Sequence, residues 1–331
     1  MKLIKFLLVA VSAVAFSSCK KVIEIRETDF IGGDVALQTV SNNEQGVIGA
    51  YAGMQMEMQI LLNATLSDEV RVAEFYNAAT THEWQYNSTD IGIRDNFTAT
   101  TPFYRVIDRV NRVLQALPDA DSLRPADNVA LRTRLRGEAL FLRAFCHFEL
   151  YRFYSGSTDP NALAMAYMEV PSLEPTARIT VGPYFQKLKA DLNEAKNLLP
   201  NNLTDIFRAN RLSASALQAQ VALYLKEWQD AITFSTEYIT AIPLATRAQF
   251  PGIWTDASNA ELAFKLRRTN VVGGRIGSLF RGTSANATQI GTVTWAPSNK
   301  LWSSYDPAND IRFSSYLRDE PILAAAGRPS R

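Results

Sequence analysis

The chain has 331 residues, of which 47% are hydrophobic and 20% are charged. These proportions are typical of a globular protein with a full core, in one large domain or two ordinary ones. The formal net charge is +1 and no long run of like charge occurs, so the sequence gives no support to nucleic-acid binding.

The first 19 residues have the pattern of a targeting segment. Two lysines give a positive start, residues 6–16 are almost entirely apolar, and two serines precede Cys19. The apolar run is too short to span a bilayer. The pattern predicts a signal peptide over residues 1–18 that resembles a bacterial lipoprotein signal, with Cys19 as the lipidated N-terminus. Phe16, where such signals usually have Leu, leaves an ordinary signal peptide as the alternative.

Residues 19–40 mix charges with a Gly-Gly pair and show no sustained period, so we expect a lipidated N-terminus and tether there. Residues 41–331 are expected to form the folded domain. With Cys19 carrying lipid, Cys146 is left without a disulfide partner. Because Cys146 lies on the apolar stripe of a predicted helix, we interpret it as a small buried hydrophobe and not as a nucleophile.

The stretch 131–154 is the predicted centre of the fold. Its apolar and small residues recur at steps of three and four, which is the spacing of one helix face. Three phenylalanines widen this face, so we expect neighbouring helices on more than one side. The stripe consists of Leu135, Ala139, Leu142, Cys146, Leu150 and Phe153, and the widening set of Phe141, Phe145 and Phe148.

Further amphipathic segments predict a mainly α-helical protein. Gly46, Gly49 and Gly53 recur at steps of three and four in the first of them and indicate close helix–helix approach. An Ala-rich helix pair after Ser213 has the small-residue offsets of a tetratricopeptide hairpin, although Ser235 departs from that consensus. The predicted helices begin near Asn42, at Pro102, near Thr180, at Ser213 and at Trp228. Long polar stretches between them are expected to be surface loops.

The sequence gives little support to catalysis. His147 lies among aromatic residues on the central helix and is expected to be packed, while His82 has no neighbour at metal-ligand spacing. Asp68 and Glu69 are adjacent and would point in different directions, so they do not form a hydrolase pair. No phosphate-binding glycine loop, serine elbow or HExxH motif occurs. We therefore predict a protein that is not an enzyme and needs no metal or cofactor.

Loop aromatics with polar neighbours favour ligand binding instead. Sugars present flat apolar faces ringed by hydroxyls, so they suit aromatic platforms beside Asn, Asp, Gln or Arg. Trp84 and Tyr86 lie near Gln, Asn and Asp, and Trp295 and Trp302 lie near Asn and Lys. These four residues are the predicted ligand-binding residues. For each tryptophan, the alternative is a loop anchor in the core.

The order of these features resembles the SusD/RagB family of outer-membrane nutrient-binding lipoproteins. The stretches that carry the resemblance are residues 46–51, 66–69, 104–111, 136–145, 150–154 and 188–192, together with the Ala-rich pair and the lipoprotein signal. The resemblance implies tetratricopeptide-like helical hairpins with long decorating loops and few short strands. The chain ends shortly after residues 305–312, so it is expected to be a short or truncated member without the C-terminal part of the family fold.

The resemblance also implies a function and a place in the cell. A member of this family would be lipid-anchored at the outer membrane, on the cell surface. It would capture a nutrient, such as a glycan or oligosaccharide, and pass it to a SusC-like TonB-dependent transporter. The alternative that remains open is a tetratricopeptide-type scaffold that binds a protein or peptide.

Overall fold

The computed structural model describes residues 36–74, 100–121, 128–172, 174–267, 280, 290 and 293–328. The chain divides into two units, Met1–Ala36 and Leu37–Arg331, and all described helices and strands lie in the second. Cys19, the predicted lipidation site, lies outside the described residues.

Seven helices of ten or more residues form the scaffold of the described part. They are α1 (Val40–Gly53), α2 (Glu57–Leu66), α3 (Thr100–Ala116), α4 (Val129–Tyr154), α5 (Val181–Leu198), α6 (Arg211–Tyr224) and α7 (Trp228–Ala241). Short helices follow: α8 (Phe250–Trp254), α9 (Asn299–Ser303), α10 (Ile311–Tyr316) and α11 (Pro321–Ala325). The predicted mainly α-helical fold is confirmed.

A small antiparallel ribbon accompanies the helices. Strand β1 (Val70–Val72) pairs with β2 (Trp295–Pro297), so that Val72 lies opposite Trp295. This ribbon joins the segment after α2 to the C-terminal part of the chain, which confirms the expectation of short strands.

Helix α4 is the centre of the core, as predicted from its apolar stripe. Leu135, Leu142 and Leu150 are fully buried, and so are Ala139 and Cys146 of the same stripe. Helices α3 and α5 cover its flanks, and α1 and α6 add further contacts. Because neighbours pack on several sides, the wide apolar arc of this helix has no face left for solvent along most of its length.

Glycines let α1 approach α3 closely at two of the three predicted positions. A Cβ atom on Gly46 would lie 2.9 Å from Val113 Cγ2, and one on Gly53 would lie 2.8 Å from Arg109 Nη1. At Gly49, no described atom would lie within 4 Å of such a Cβ. The prediction of close approach is therefore confirmed for Gly46 and Gly53 and wrong for Gly49.

The α6–α7 hairpin follows from its caps and its turn. The Asn210 side chain accepts a hydrogen bond from Ser213 N at 3.0 Å, and the Ser213 hydroxyl accepts one from Asn210 N at 2.9 Å, which fixes the start of α6. Lys226 has a φ of 62°, so the chain turns through the left-handed region between the two helices. Helix α7 then packs back onto α6.

Candidate functional site

The structure describes two of the four predicted ligand-binding residues, and these two lie in different surroundings. Trp84 and Tyr86 lie outside the described residues. Trp295 lies in β2 with 6% of its surface exposed and packs with Leu61 and Leu62 of α2. Trp302 lies in α9 and is half-buried. Trp295 therefore offers no open ring face to a ligand here, whereas Trp302 keeps part of its surface in solvent.

Three short segments bring aromatic side chains together at one place. We define the aromatic surface as Phe250 and Trp254 of α8, Tyr305, and Arg312 and Tyr316 of α10. Trp254 is 55% exposed and Tyr316 is 41% exposed, and their ring centroids are 4.6 Å apart with planes inclined at 78°. Two partly exposed rings thus meet edge to face at nearly a right angle.

The other two rings of the aromatic surface lie beside Trp254 and Tyr316. Phe250 lies 6.1 Å from Trp254 and 6.0 Å from Tyr316, measured between ring centroids. Tyr305 lies 6.1 Å from Tyr316, and the Arg312 guanidinium lies 5.2 Å from the Tyr305 ring centroid. This last distance is that of a cation–π contact, which fixes the arginine beside the rings.

Local hydrogen bonds hold the segments in place. Asp310 caps α10 by accepting from Arg312 N at 2.9 Å, and it also accepts from Arg312 Nη2 at 2.6 Å. Asp306 accepts from Ala308 N at 2.9 Å. Arg247 Nη2 donates to Asn309 O at 3.0 Å, which ties the chain before α8 to the loop before α10. These hydrogen bonds therefore fix the loop before α10 and connect it to the chain before α8.

The carboxylates at this surface are kept ionised. The hydrogen bond from the Asn309 amide lowers the pKa of Asp306, and the hydrogen bond from Arg312 lowers the pKa of Asp310. Both groups are therefore hydrogen-bond acceptors at neutral pH. Open rings beside ionised carboxylates and a guanidinium are the groups that bind a sugar's apolar face and its hydroxyls.

Trp302 is connected to this surface through α10. Its ring centroid lies 5.1 Å from that of Phe313 in an edge-to-face arrangement. Phe313 and Tyr316 are three positions apart on the same helix, so their side chains project from neighbouring positions of its surface. The structure thus places one of the four predicted residues, Trp302, next to the aromatic surface.

Sequence reasoning did not single out Trp254 or Tyr316. They are 62 positions apart and lie in helices of five and six residues, which are too short to show a periodic pattern. The signal that could have pointed to this surface is the polar and aromatic stretch from Tyr305 to Arg312.

A pocket lies beside α3 and has a volume of about 370 Å³. Tyr104, Ile107 and Asn111 line one wall, and Met165 and Met168 line the other. The Tyr104 hydroxyl donates to Ala166 O at 3.0 Å, and the Asn111 amide donates to Met168 O at 3.0 Å. These bonds join the two walls and leave the pocket mostly apolar.

A buried polar network lies under this pocket. Arg143 donates to both oxygens of Asp191, at 2.7 and 2.6 Å, and the Tyr167 hydroxyl donates to the same carboxylate at 2.7 Å. His147 stacks on Tyr167 at 3.9 Å between ring centroids, and its Nε2 accepts from Met168 N at 3.2 Å. Every one of these contacts joins two parts of the scaffold.

The network has the character of a structural support. Burial lowers the pKa of His147 to about 3, so its imidazole is neutral at physiological pH. Burial also raises the pKa of the Cys146 thiol well above its usual range. Neither group is exposed to a substrate, which agrees with the prediction that both are packed. Among the described residues, no group of three or more His, Cys, Asp and Glu side chains could hold a metal ion.

No helix within the described ranges is both long and apolar enough to cross a membrane. This observation covers the scaffold helices α1 to α7 and leaves the predicted signal peptide outside its scope.

Comparisons with known proteins agree with the resemblance seen in the sequence. A SusD-like family, described as starch-binding and associating with the outer membrane, matches residues 33–223. SusD-like protein P38 of Formosa agariphila is 24% identical over 242 residues, which are 71% of this chain and 44% of that protein. The chain thus spans less than half the length of this curated relative.

Solved structures show the same fold. A SusD superfamily protein from Bacteroides thetaiotaomicron has a TM-score of 0.69 at 19% identity, covering 88% of this chain and 68% of its own. A putative sugar binding protein from Bacteroides vulgatus has a TM-score of 0.66 at 20% identity, with coverages of 86% and 65%. A laminarin-binding SusD-like protein has a TM-score of 0.61 at 20% identity, with coverages of 88% and 70%.

These likenesses confirm the resemblance. The family match extends over more than half of the chain, from the residues before α1 to the end of α6. The similar structures share the helical fold of this chain. The chain belongs to the SusD-like family, whose description is starch-binding and associated with the outer membrane.

Proposed function

We propose that this protein is a cell-surface lipoprotein that captures a glycan or oligosaccharide and hands it to a SusC-like TonB-dependent transporter. Residues 1–18 would be the signal peptide, Cys19 the lipid-bearing N-terminus, residues 19–40 the tether, and residues 41–331 the binding domain. Membership of the SusD-like family supports carbohydrate binding. The observation that carries the proposal is the aromatic surface, because it provides partly exposed aromatic rings beside charged hydrogen-bonding groups.

The geometry of the surface suits a sugar ring. A pyranose that packs on the exposed part of the Trp254 ring would lie beside Tyr316, whose ring plane is inclined at 78° to that of Trp254. The hydroxyls at that edge would then be within reach of the carboxylates and the arginine around α10. In such sites, aromatic contacts usually provide the affinity and charged groups orient the sugar.

A neutral glycan is the favoured ligand class. Asp306 and Asp310 are both ionised at the surface, and Arg312 is already engaged by Asp310. A uronic acid polymer would bring further negative charge next to these carboxylates. One SusD-like protein of the same fold is named for binding laminarin, which makes glucan oligosaccharides a suitable first probe.

Isothermal titration against neutral oligosaccharides, uronate oligosaccharides and peptides tests the ligand class. We expect saturable binding of a neutral glycan. The alternative, a tetratricopeptide-type scaffold, is favoured by an apolar groove of about 530 Å³ between α6 and α7. Binding of peptides with no response to any glycan would refute the glycan proposal and support the scaffold.

The lipid anchor has a separate test. Cells expressing the wild-type chain should incorporate radiolabelled palmitate into it, and cells expressing Cys19→Ala should not. Persistence of the label in the variant would show that Cys19 is not the lipidated residue, whatever the outcome of the glycan titrations.

A further inference from the structure

A small pocket lies where α5 meets the α6–α7 hairpin, and its volume is about 100 Å³. Leu192 of α5, Val221 and Ala222 of α6, and Phe234 of α7 form its apolar wall. An apolar cavity of about 150 Å³ holds a benzene molecule. This pocket therefore has room for the end of a chain of about four heavy atoms, and not for a whole pyranose ring.

Gln218 brings an unsatisfied hydrogen-bond acceptor to this pocket. The residue lines the pocket and is 6% exposed. Its Nε2 donates to Asn193 Oδ1 at 2.7 Å, whereas its Oε1 is buried and accepts no hydrogen bond from the described part of the chain. An unsatisfied buried acceptor destabilises the folded chain, and a bound donor would remove this penalty. The pocket therefore favours a ligand with hydrogen-bond donors.

The other polar groups that line the pocket add further acceptors. The Asp230 carboxylate has no cationic partner among the residues that the structure describes. Asn193 Oδ1 keeps a second lone pair beside the one that Gln218 uses. The Lys189 ammonium is held by both oxygens of Glu227, at 2.5 and 2.6 Å, so these two charges neutralise each other. One negative charge, that of Asp230, is left for a ligand.

A primary ammonium group matches this arrangement. It has three N–H donors and no acceptor, and its charge is opposite to that of the Asp230 carboxylate. A hydroxyl group would donate only one hydrogen bond. An anion would meet no unpaired cation, because Lys196, whose ammonium lies 4.9 Å from the Phe234 ring centroid, is paired with Glu237. The apolar wall would bury the methylene groups next to the nitrogen.

We propose that this pocket, between α5 and the α6–α7 hairpin, binds the primary ammonium end of a short aliphatic chain. Gln218 Oε1, Asn193 Oδ1 and the Asp230 carboxylate would accept its three hydrogen bonds. Phe234 would contact the methylene groups. The pocket shares no residue with the aromatic surface, so it can be tested independently of glycan binding.

An NMR titration of the ¹⁵N-labelled full chain in detergent, with n-butylammonium chloride as the ligand, tests the proposal. We expect the backbone amide signal of Ala222 to shift with a dissociation constant of about 1–10 mM, which lies within the affinity that so few heavy atoms can supply. n-Butanol keeps the chain without the charge, and n-butyltrimethylammonium keeps the charge without N–H donors. Both should bind at least about tenfold more weakly.

The source of the ammonium group is distinguished by a further ligand, Nα-acetyl-lysine amide. An affinity equal to that of n-butylammonium would support a lysine side chain of a protein or peptide as the occupant. A clearly weaker affinity would support a free alkylamine, because the pocket would then exclude a chain that carries a peptide backbone. Both results support the ammonium site.

Two variants test the residues that carry the site. Gln218→Met removes the unsatisfied oxygen and keeps the length of the side chain, and it should weaken n-butylammonium binding about tenfold. Asp230→Asn removes the charge at an exposed position, where the fold does not depend on it, and should weaken binding by about the same factor. Gln220→Met is the matched control, because Gln220 is exposed on α6 and does not line this pocket. It should leave the dissociation constant unchanged.

Three results would overturn the proposal. The first is an Ala222 signal that does not shift at about 50 mM n-butylammonium, well above the expected dissociation constant, which would mean that water satisfies Gln218. The second is equal affinity for n-butylammonium and n-butanol. The third is a dissociation constant that neither Gln218→Met nor Asp230→Asn changes, with the helical content of both variants unchanged by circular dichroism.

Discussion

Arg143 and Asp191 form the polar centre of the helical scaffold. Their side chains are each 9% exposed, and the pair connects α4 to α5 through two parallel hydrogen bonds. Arg143 also donates to the Asn111 side chain of α3 at 3.0 Å. One guanidinium therefore joins three helices, and the family resemblance in the α4 sequence includes this residue.

Removal of the arginine should destabilise the protein strongly. Arg143→Met leaves the Asp191 carboxylate buried without its counter-charge, which costs about 3–5 kcal/mol of unfolding free energy. Arg112→Ala is the control, because Arg112 pairs with Asp108 at 2.8 Å in an exposed position. The control should cost less than about 1 kcal/mol. Urea denaturation measures both, and equal losses would contradict the role of the buried pair.

His147 makes stability depend on pH. Its folded-state pKa is about 3, because burial disfavours the imidazolium, whereas the unfolded chain has a value of about 6.5. Below about pH 6.5 the unfolded state binds a proton that the folded state excludes. Stability should therefore fall as the pH falls from about 6.5 to 3, by up to about 1.4 kcal/mol per pH unit.

The variant His147→Gln isolates this effect. Burial raises the pKa values of Glu138 and Glu149, and these groups contribute with the opposite sign, since their stabilisation is lost as the pH rises above their unfolded value. They are present in both proteins, so the difference between the two stability–pH curves belongs to His147. A constant difference from pH 4 to 7 would show that its protonation is not linked to folding.

At the scale of elements, long periodic helices could be predicted and short ones could not. The apolar stripe of α4 predicted both the length of this helix and its central position, because a wide apolar arc must be covered by neighbouring helices. Helices α8 to α10 have five or six residues each, so no period can be read from them. Trp254 and Tyr316 come together only in the folded chain, so sequence reasoning could not identify them as neighbours.

The tryptophans show the same limit. Trp295 and Trp302 have similar polar surroundings in sequence, yet one fills a small core beside α2 and the other lies beside α10. Strand pairing with β1 decides the difference, because it turns Trp295 inward opposite Val72. A pairing between residues more than 200 positions apart leaves no local signal.

The contact between α1 and α3 gives a test at this scale. Gly46→Ala should destabilise the protein by about 1–3 kcal/mol, because the added methyl group would lie 2.9 Å from Val113 Cγ2. Gly49→Ala on the same helix meets open space and should stabilise it by roughly 0.5–1 kcal/mol through lower backbone entropy of the unfolded chain. Thermal unfolding distinguishes them, and changes of the same sign would contradict the packing described for α1.

At the scale of the whole molecule, a helical scaffold presents two surfaces of different character. The aromatic surface combines partly exposed rings with charged groups, and the groove between α6 and α7 is apolar and lined by uncharged residues. Exposed tryptophans occur on both, Trp254 on the first and Trp228 on the second, at 55% and 58% exposure. We assign the first of these surfaces to a glycan.

This pair of tryptophans allows a matched comparison by calorimetric titration of the full chain with a neutral glucan oligosaccharide. Trp254→Ala should weaken binding about tenfold, because it removes one stacking face of the site. Trp228→Ala, equally exposed but outside the aromatic surface, should leave the oligosaccharide dissociation constant unchanged. Equal affinities of the wild-type chain and Trp254→Ala, or a loss confined to Trp228→Ala, would contradict the central claim that the glycan binds at the aromatic surface.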